Sequence, residues 1–156
     1  MKIILEGADG SGKSTLAKEL AKITGFEIRW AGPPPVSDYV ALSNSIDQIF
    51  MDLVIMDRVT PISRLCYQFE NTGEHIKDLL GLWDLMKEDS VLVYCTATEP
   101  ESDDGHRETA HDKFVRDNIE KIRVNYDKFM SSRNPIRYNF REDNILGLIS
   151  KIMERV

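Results

Sequence analysis

The sequence predicts an α/β fold: a parallel sheet of about five strands with helices on both faces. Two observations predict it. Five short apolar runs alternate with segments whose apolar residues recur at helical spacing, and the first run leads straight into a glycine-rich turn, "GADGSGKST" (7–15). Strands that alternate with helices build parallel sheets through right-handed crossovers.

The five runs are "KIILE" (2–6), "FEIRW" (26–30), "LVIMD" (53–57), "VLVYC" (91–95) and "IRYNF" (136–140). The first, third and fourth are almost continuously hydrophobic, as strands covered on both faces must be. After the glycine turn, Leu16, Leu20 and Ile23 mark a helix. "DYVALSNSIDQIF" (38–50) is a helical candidate between the second and third runs. Ile76, Leu79, Leu80, Trp83 and Met86 mark a helix before the fourth run. Val115, Ile119, Ile122, Tyr126 and Phe129 mark a long amphipathic helix, and Ile145, Leu148, Ile149 and Ile152 mark a last one. "GPPP" (32–35) is too short to separate domains and reads as a stiff loop after the second strand. With no repeat or linker, residues 1–156 are expected to form a single domain.

Composition narrows the partners. The chain is 42% hydrophobic and 29% charged, with a net charge of −6 and no basic block, which disfavours a nucleic-acid partner. No apolar stretch approaches the ~20 residues that span a bilayer. The two cysteines, Cys66 and Cys95, fit reduced, buried thiols, and a cytoplasmic location is expected. His75, His106 and His111 lack mutual ligand spacing and read as surface residues.

Gly7, Gly12, Lys13 and Ser14 satisfy G-x-x-x-x-G-K-[ST], placed between a predicted strand and a predicted helix. Glycines let the backbone turn tightly and aim several N–H groups at one anion, and the helix that follows adds its positive end. In such a loop Lys13 reaches the outer phosphates and the Ser14 hydroxyl ligates Mg²⁺. The glycine order is not the G-x-G-x-x-G of dinucleotide-binding turns. The expected fold is therefore of the P-loop NTPase type, binding a nucleoside triphosphate. The third strand ends in Asp57 and Arg58, where open α/β sheets place ligands. Asp57 there supports the metal through water, and Arg58 is suited to grip a phosphate in bidentate fashion.

"EGADGSGKST" followed by "VIMDRVTPISRLCYQ" resembles the thymidylate kinase family of P-loop nucleoside monophosphate kinases. Arg29 near the end of the second strand, the polar segment after "VLVYCTATEPE" and "RVNYDKF" in the long helix extend the likeness over most of the chain. This would be a shortened member, since only about twenty residues separate Trp30 from Leu53, where the family carries a longer helical insertion. The resemblance implies that Gly10, Ser11, Gly12, Lys13, Ser14 and Thr15 hold the phosphates of ATP. It implies an acceptor site of Asp9 (sugar hydroxyl), Arg58 (phosphate), Arg29 (helper), and Tyr67 and Gln68 (near the base). It also implies a lid near residues 98–111 with Arg107 closing over the transferring group, and a homodimer. The implied activity is transfer of the γ-phosphoryl group of ATP to a (deoxy)nucleoside monophosphate, thymidylate first among them, with Mg²⁺. A non-nucleotide small molecule or a polynucleotide 5′-hydroxyl is the alternative acceptor. A GTPase switch is disfavoured, because N-K-x-D is absent and the one D-x-x-G after the third strand, Asp78 to Gly81, falls inside a helical pattern.

Overall fold

The computed structural model describes residues 1–69, 73–98 and 109–156. Five strands, β1 (Lys2–Glu6), β2 (Glu27–Trp30), β3 (Val54–Asp57), β4 (Ser90–Cys95) and β5 (Ile136–Tyr138), form one sheet in the order β2-β3-β1-β4-β5. All four pairings are parallel. The three most hydrophobic runs are the three central strands. β2 and β5, which carry exposed charged residues such as Arg29 and Arg137, are the edges. Among the described residues, six α-helices connect and cover them: α1 (Lys13–Thr24), α2 (Asp38–Ile49), α3 (Thr60–Tyr67), α4 (Gly73–Met86), α5 (Ala110–Met130) and α6 (Ile145–Glu154).

Alternation along β1 divides the core into two layers. Ile3 and Leu5 point to one face, where they join Leu16, Leu20, Ile55, Val93, Leu148 and Ile152 under α1 and α6. Ile4 points to the other, with Met56, Ile62, Tyr67, Trp83, Tyr126 and Phe129 from β3, α3, α4 and α5. Each fully buried leucine or isoleucine stabilises the fold by about 2 kcal/mol. Lys2 and Glu6 lie on the same side as Ile4 and are fully buried. Lys2 is neutralised by Asp89 at 2.7 and 2.8 Å.

Caps fix where the helices begin. Ser37 accepts from the Val40 amide at α2, Thr109 and Asp112 form a reciprocal capping box at α5, and Asn144 accepts from Gly147 at α6. Gly25, at φ 75°, ends α1 and donates to Ala21 O at 2.9 Å. Among the described residues, no helix is long and apolar enough to cross a membrane.

The sequence pattern does not reveal α3. Seven of its eight residues are buried, and at about two turns it is too short for apolar recurrence to stand out. Pro61 sits in its first turn, where a missing N–H costs nothing.

Candidate active site

The sheet order reverses beside β1, and the loop leaving β1 and the turn leaving β3 flank the crevice that results. Gly7 starts the first loop at φ 152°. A Cβ there would stand 2.4 Å from the Cys95 carbonyl oxygen, so only glycine lets the loop leave the sheet this close to β4. Gly12, at φ 83°, lies against Phe140, whose ring carbon would be 2.8 Å from an added Cβ. Between them the loop wraps the Lys13 ammonium, which donates to Ala8 O at 2.8 Å and to Ser11 Oγ at 3.0 Å. Burial and the neighbouring Arg58 cation lower the Lys13 pKa to about 8. Ser14 Oγ donates to Asp57 Oδ2 at 3.1 Å, which joins the start of α1 to the end of β3.

Arg58 follows β3 in the left-handed region, at φ 72°, a strained position for a side-chain-bearing residue. Its amide donates to Leu5 O at 2.9 Å. Its guanidinium donates to the Asp9 carboxylate and to the Tyr67 hydroxyl, and Tyr67 in turn donates to Asp9. The Arg58 guanidinium carbon also lies 4.7 Å from the centre of the Tyr67 ring. Burial would raise the Asp9 pKa, but the Arg58 charge and the Tyr67 hydrogen bond outweigh it and hold the carboxyl below its ordinary value. Arg58 Nε is buried and has no acceptor among the described residues.

Two cavities meet along this triad. The first, of about 480 Å³, is lined by Asp9, Gly10 and Gly12 to Thr15 of the loop and by Asp57, Arg58, Trp30, Gly32, Pro33 and His111. The second, of about 530 Å³, has Tyr67, Phe69, Phe114, Pro34 and Val36 as apolar walls and Asp38, Arg64, Gln68 and His75 as polar ones; His111 borders both. The Phe69 and Phe114 rings stand 5.7 Å apart, tilted by 33°. Buried Arg64 shapes this wall. It donates to Val36 O and Ser37 O at 3.1 Å, to the Asp38 carboxylate, and through Nε to Gln68 Oε1 at 2.7 Å. Gln68 Nε2 donates to Pro35 O at 3.0 Å. The stiff 32–35 loop is thus fastened to α3.

Comparison with solved structures finds the same architecture along the whole chain. The YorR protein from Bacillus subtilis, solved in complex with phosphorylated GDP, matches with a TM-score of 0.68 and 20% identity over 99% of this chain and 94% of that one. Deoxyadenosine kinase from M. mycoides with bound dATP matches at 0.58 and 18%, over 99% and 98%. Thymidylate kinase from Ehrlichia chaffeensis matches at 0.56 and 15%, over 99% and 98%. The chain has a P-loop NTPase-type fold. No protein-family model matches it, and neither does any curated protein sequence.

Within this fold the structure gathers Asp9, Gly10, Gly12, Lys13, Ser14, Thr15, Asp57 and Arg58 around one cavity, with Tyr67 and Gln68 in the adjoining one. Gly7 and Ser11 shape the loop from behind. Arg29 lies apart: half exposed, it pairs with Glu27 at 3.3 Å and lines neither cavity, whereas its neighbour Trp30 does. Arg107 and residues 99–108 of the expected lid lie outside the described residues. Several contributors escape a reading of the sequence, Phe69, Phe114, Arg64 and His75 of the second cavity among them. His111, which reads there as a surface residue, lines both cavities. Trp30 and Pro33 face the phosphate loop, and Glu6 lies buried beneath it.

Proposed function

We propose that the protein is an ATP-dependent phosphotransferase whose acceptor is a (deoxy)nucleoside monophosphate, with thymidylate the first candidate. The observation that carries this reading is Arg58. Its largely buried guanidinium, with Nε unpartnered among the described residues, lines the cavity of the phosphate-type loop and is bonded to Tyr67, which lines the aromatic cavity. A phosphate placed at Arg58 would lie toward Lys13, with its base between Phe69, Phe114 and Tyr67. Two of the compared structures are a nucleoside kinase and a nucleotide kinase, which supports the same class of reaction.

In this reading the amides of Gly10 to Thr15 and the Lys13 ammonium hold the donor's phosphates, as a loop that concentrates N–H groups on one anion does. Lys13 exchanges its contacts with Ala8 and Ser11 for phosphate oxygens. Arg58 orients the acceptor phosphate, one oxygen of which attacks the γ-phosphorus as the bond to the bridging oxygen breaks and ADP departs. Asp9 accepts a hydrogen bond from the sugar hydroxyl, and Tyr67 and Gln68 border the base. Arg107, of the expected lid near 98–111, would complete the positive charge, while Arg29, paired with Glu27 and lining neither cavity, takes no part in this reading. The catalytic contribution is positioning and charge, since phosphoryl transfer leaves little covalent chemistry to the protein.

The donor set suits Mg²⁺. Ser14 Oγ and the Asp57 carboxylate are hard oxygen ligands brought to 3.1 Å of one another, and no group of three or more His, Cys, Asp or Glu among the described residues offers a cage of its own. That matches an ion carried in by the triphosphate, with Ser14 as ligand and Asp57 holding its water. Bound there, it neutralises charge on the β- and γ-phosphates. A single domain over residues 1–156, a homodimer and a cytoplasmic location belong to the same proposal.

The deciding experiment measures ADP release with ATP and Mg²⁺ against a panel of ribo- and deoxynucleoside monophosphates, the corresponding nucleosides and an oligonucleotide 5′-hydroxyl. Saturable turnover with one or a few monophosphates is expected. Turnover with nucleosides or the oligonucleotide alone would replace the acceptor assigned here.

A further inference from the structure

Glu6, the last residue of β1, is fully buried and lines neither cavity. Its side chain receives three hydrogen bonds from beyond its own strand. Oε1 accepts from the Val59 amide at 2.7 Å and from Ser63 Oγ at 3.4 Å, and Oε2 accepts from the Tyr126 hydroxyl of α5 at 2.7 Å. Val59 is the residue after Arg58. The strained Arg58 is therefore held from both sides by the same strand: its own amide by the Leu5 carbonyl, and the next amide by the Glu6 carboxylate. A left-handed arginine at this turn would relax toward ordinary dihedrals if either tie were cut, because such strain persists only where the surroundings over-determine it. Relaxation would swing the guanidinium off Asp9 and Tyr67.

We propose that Glu6 is a positioning residue that acts through the Val59 amide to hold Arg58 aimed at the acceptor; this rests on the reading of Arg58 as the acceptor clamp. The function of Glu6 is reach, and its charge is incidental to it. Glu6 also ties this turn to Tyr126, on the helix that follows the expected lid segment, so the acceptor clamp, β1 and α5 share one buried carboxylate.

Two substitutions separate reach from charge. Glu6→Asp keeps the carboxylate and withdraws it by one methylene, beyond the Val59 amide. Glu6→Gln keeps the reach and one acceptor oxygen and removes the charge. With whichever monophosphate proves best, Glu6→Asp is expected to lower kcat/KM for the acceptor by about tenfold or more, with the KM for ATP unchanged, while Glu6→Gln stays within about threefold of the wild type. In an Arg58→Ala background, Glu6→Asp is expected to add nothing, since it acts only through Arg58. Loss in Glu6→Gln with activity kept in Glu6→Asp, no loss in either, or losses that multiply with that of Arg58→Ala would each overturn the proposal. Should Glu6→Asp melt below the assay temperature, Glu6→Met, which fills the same buried space but offers the Val59 amide no oxygen acceptor, replaces it under the same criteria. The Arg58 Nε–H resonance, assigned by its disappearance in Arg58→Lys, gives a readout that needs no acceptor. It is expected to move in Glu6→Asp and stay in Glu6→Gln, and an unmoved signal in Glu6→Asp would refute the positioning role. A panel without any phosphorylated monophosphate would sink the acceptor assignment and leave this result standing.

Discussion

Ser14 and Asp57 lie 43 residues apart in the chain, and the hydroxyl of one donates to the carboxylate of the other at 3.1 Å. That bond brings two hard oxygens to the mouth of the phosphate-type loop. Asp57→Asn keeps the shape and removes the charge that holds a cation's water. It is expected to raise the Mg²⁺ concentration for half-maximal turnover, or lower kcat, by roughly 10- to 100-fold. Titrating Mg²⁺ at fixed ATP in both proteins checks this, and identical curves would remove Asp57 from the metal site.

Lys13 is 6% exposed, and its ammonium already touches Ala8 and Ser11 of the loop it would serve. Lys13→Ala removes the one ammonium lining this cavity among the described residues. A loss of about 10²–10³ in kcat is expected, the size of one transition-state donor. Far-ultraviolet circular dichroism should match the wild type. A folded and fully active variant would end the phosphoryl-transfer reading.

Arg58 combines a needed side chain with an unfavourable backbone. Arg58→Ala should raise the acceptor KM and lower kcat while leaving ATP binding nearly unchanged. Arg58→Gly should be equally inactive yet more stable than Arg58→Ala by about 1 kcal/mol, because glycine adopts φ 72° without a Cβ clash. Urea unfolding of the two variants measures the difference. Equal stability would mean that the turn relaxes once the arginine is gone.

Gly7→Ala places a Cβ 2.4 Å from the Cys95 carbonyl oxygen, a backbone atom of a central strand that cannot give way cheaply. A destabilisation of roughly 3 kcal/mol is expected, lowering Tm by about 10 °C. Binding of an ATP analogue should weaken in parallel, since the same loop forms the anion cradle. A thermal melt with and without the analogue reads both effects.

Much of this fold is legible in the sequence, and the gaps have physical reasons. The hydrophobic continuity of 2–6, 53–57 and 91–95 marks the strands that prove central, because burial on both faces removes the need for polar residues. The glycines and Lys13 are readable because a phosphate loop demands fixed residue types at fixed spacing. α3 is not readable, since its eight residues make only about two turns, too few for a helical period to stand out. Leu53 falls outside the third strand because it sits at φ 52°. His111, Trp30 and Pro33 reach the cavity only through the packing of α5, the end of β2 and the 32–35 loop, which no local pattern encodes. Gln68 reads as a base contact in the sequence; its amide is engaged with Arg64 and Pro35, a network that depends on how α3 meets that loop.

Glu6 makes stability depend on pH in a window of its own. Burial pushes its carboxyl up to about 7, although the Tyr126 hydroxyl, the Val59 amide and the Arg58 and Lys13 cations all favour its charged form. A raised carboxyl pKa means that the folded protein holds this proton more tightly than the unfolded chain does. Stability should therefore fall as pH rises from about 4.5 through about 7, by up to about 3 kcal/mol from this group. Asp9, with its pKa held down, contributes in the opposite sense, and only at more acidic pH: its stabilisation is lost as pH falls through the folded value. Lys13, lowered to about 8, adds stability only as pH rises above that. Glu6→Gln removes the first effect and keeps the other two. The stability of the wild type minus that of Glu6→Gln should decline between about pH 5 and about pH 8 and level off above it. Parallel stability curves for the two proteins over that range would show that Glu6 titrates as an ordinary carboxylate.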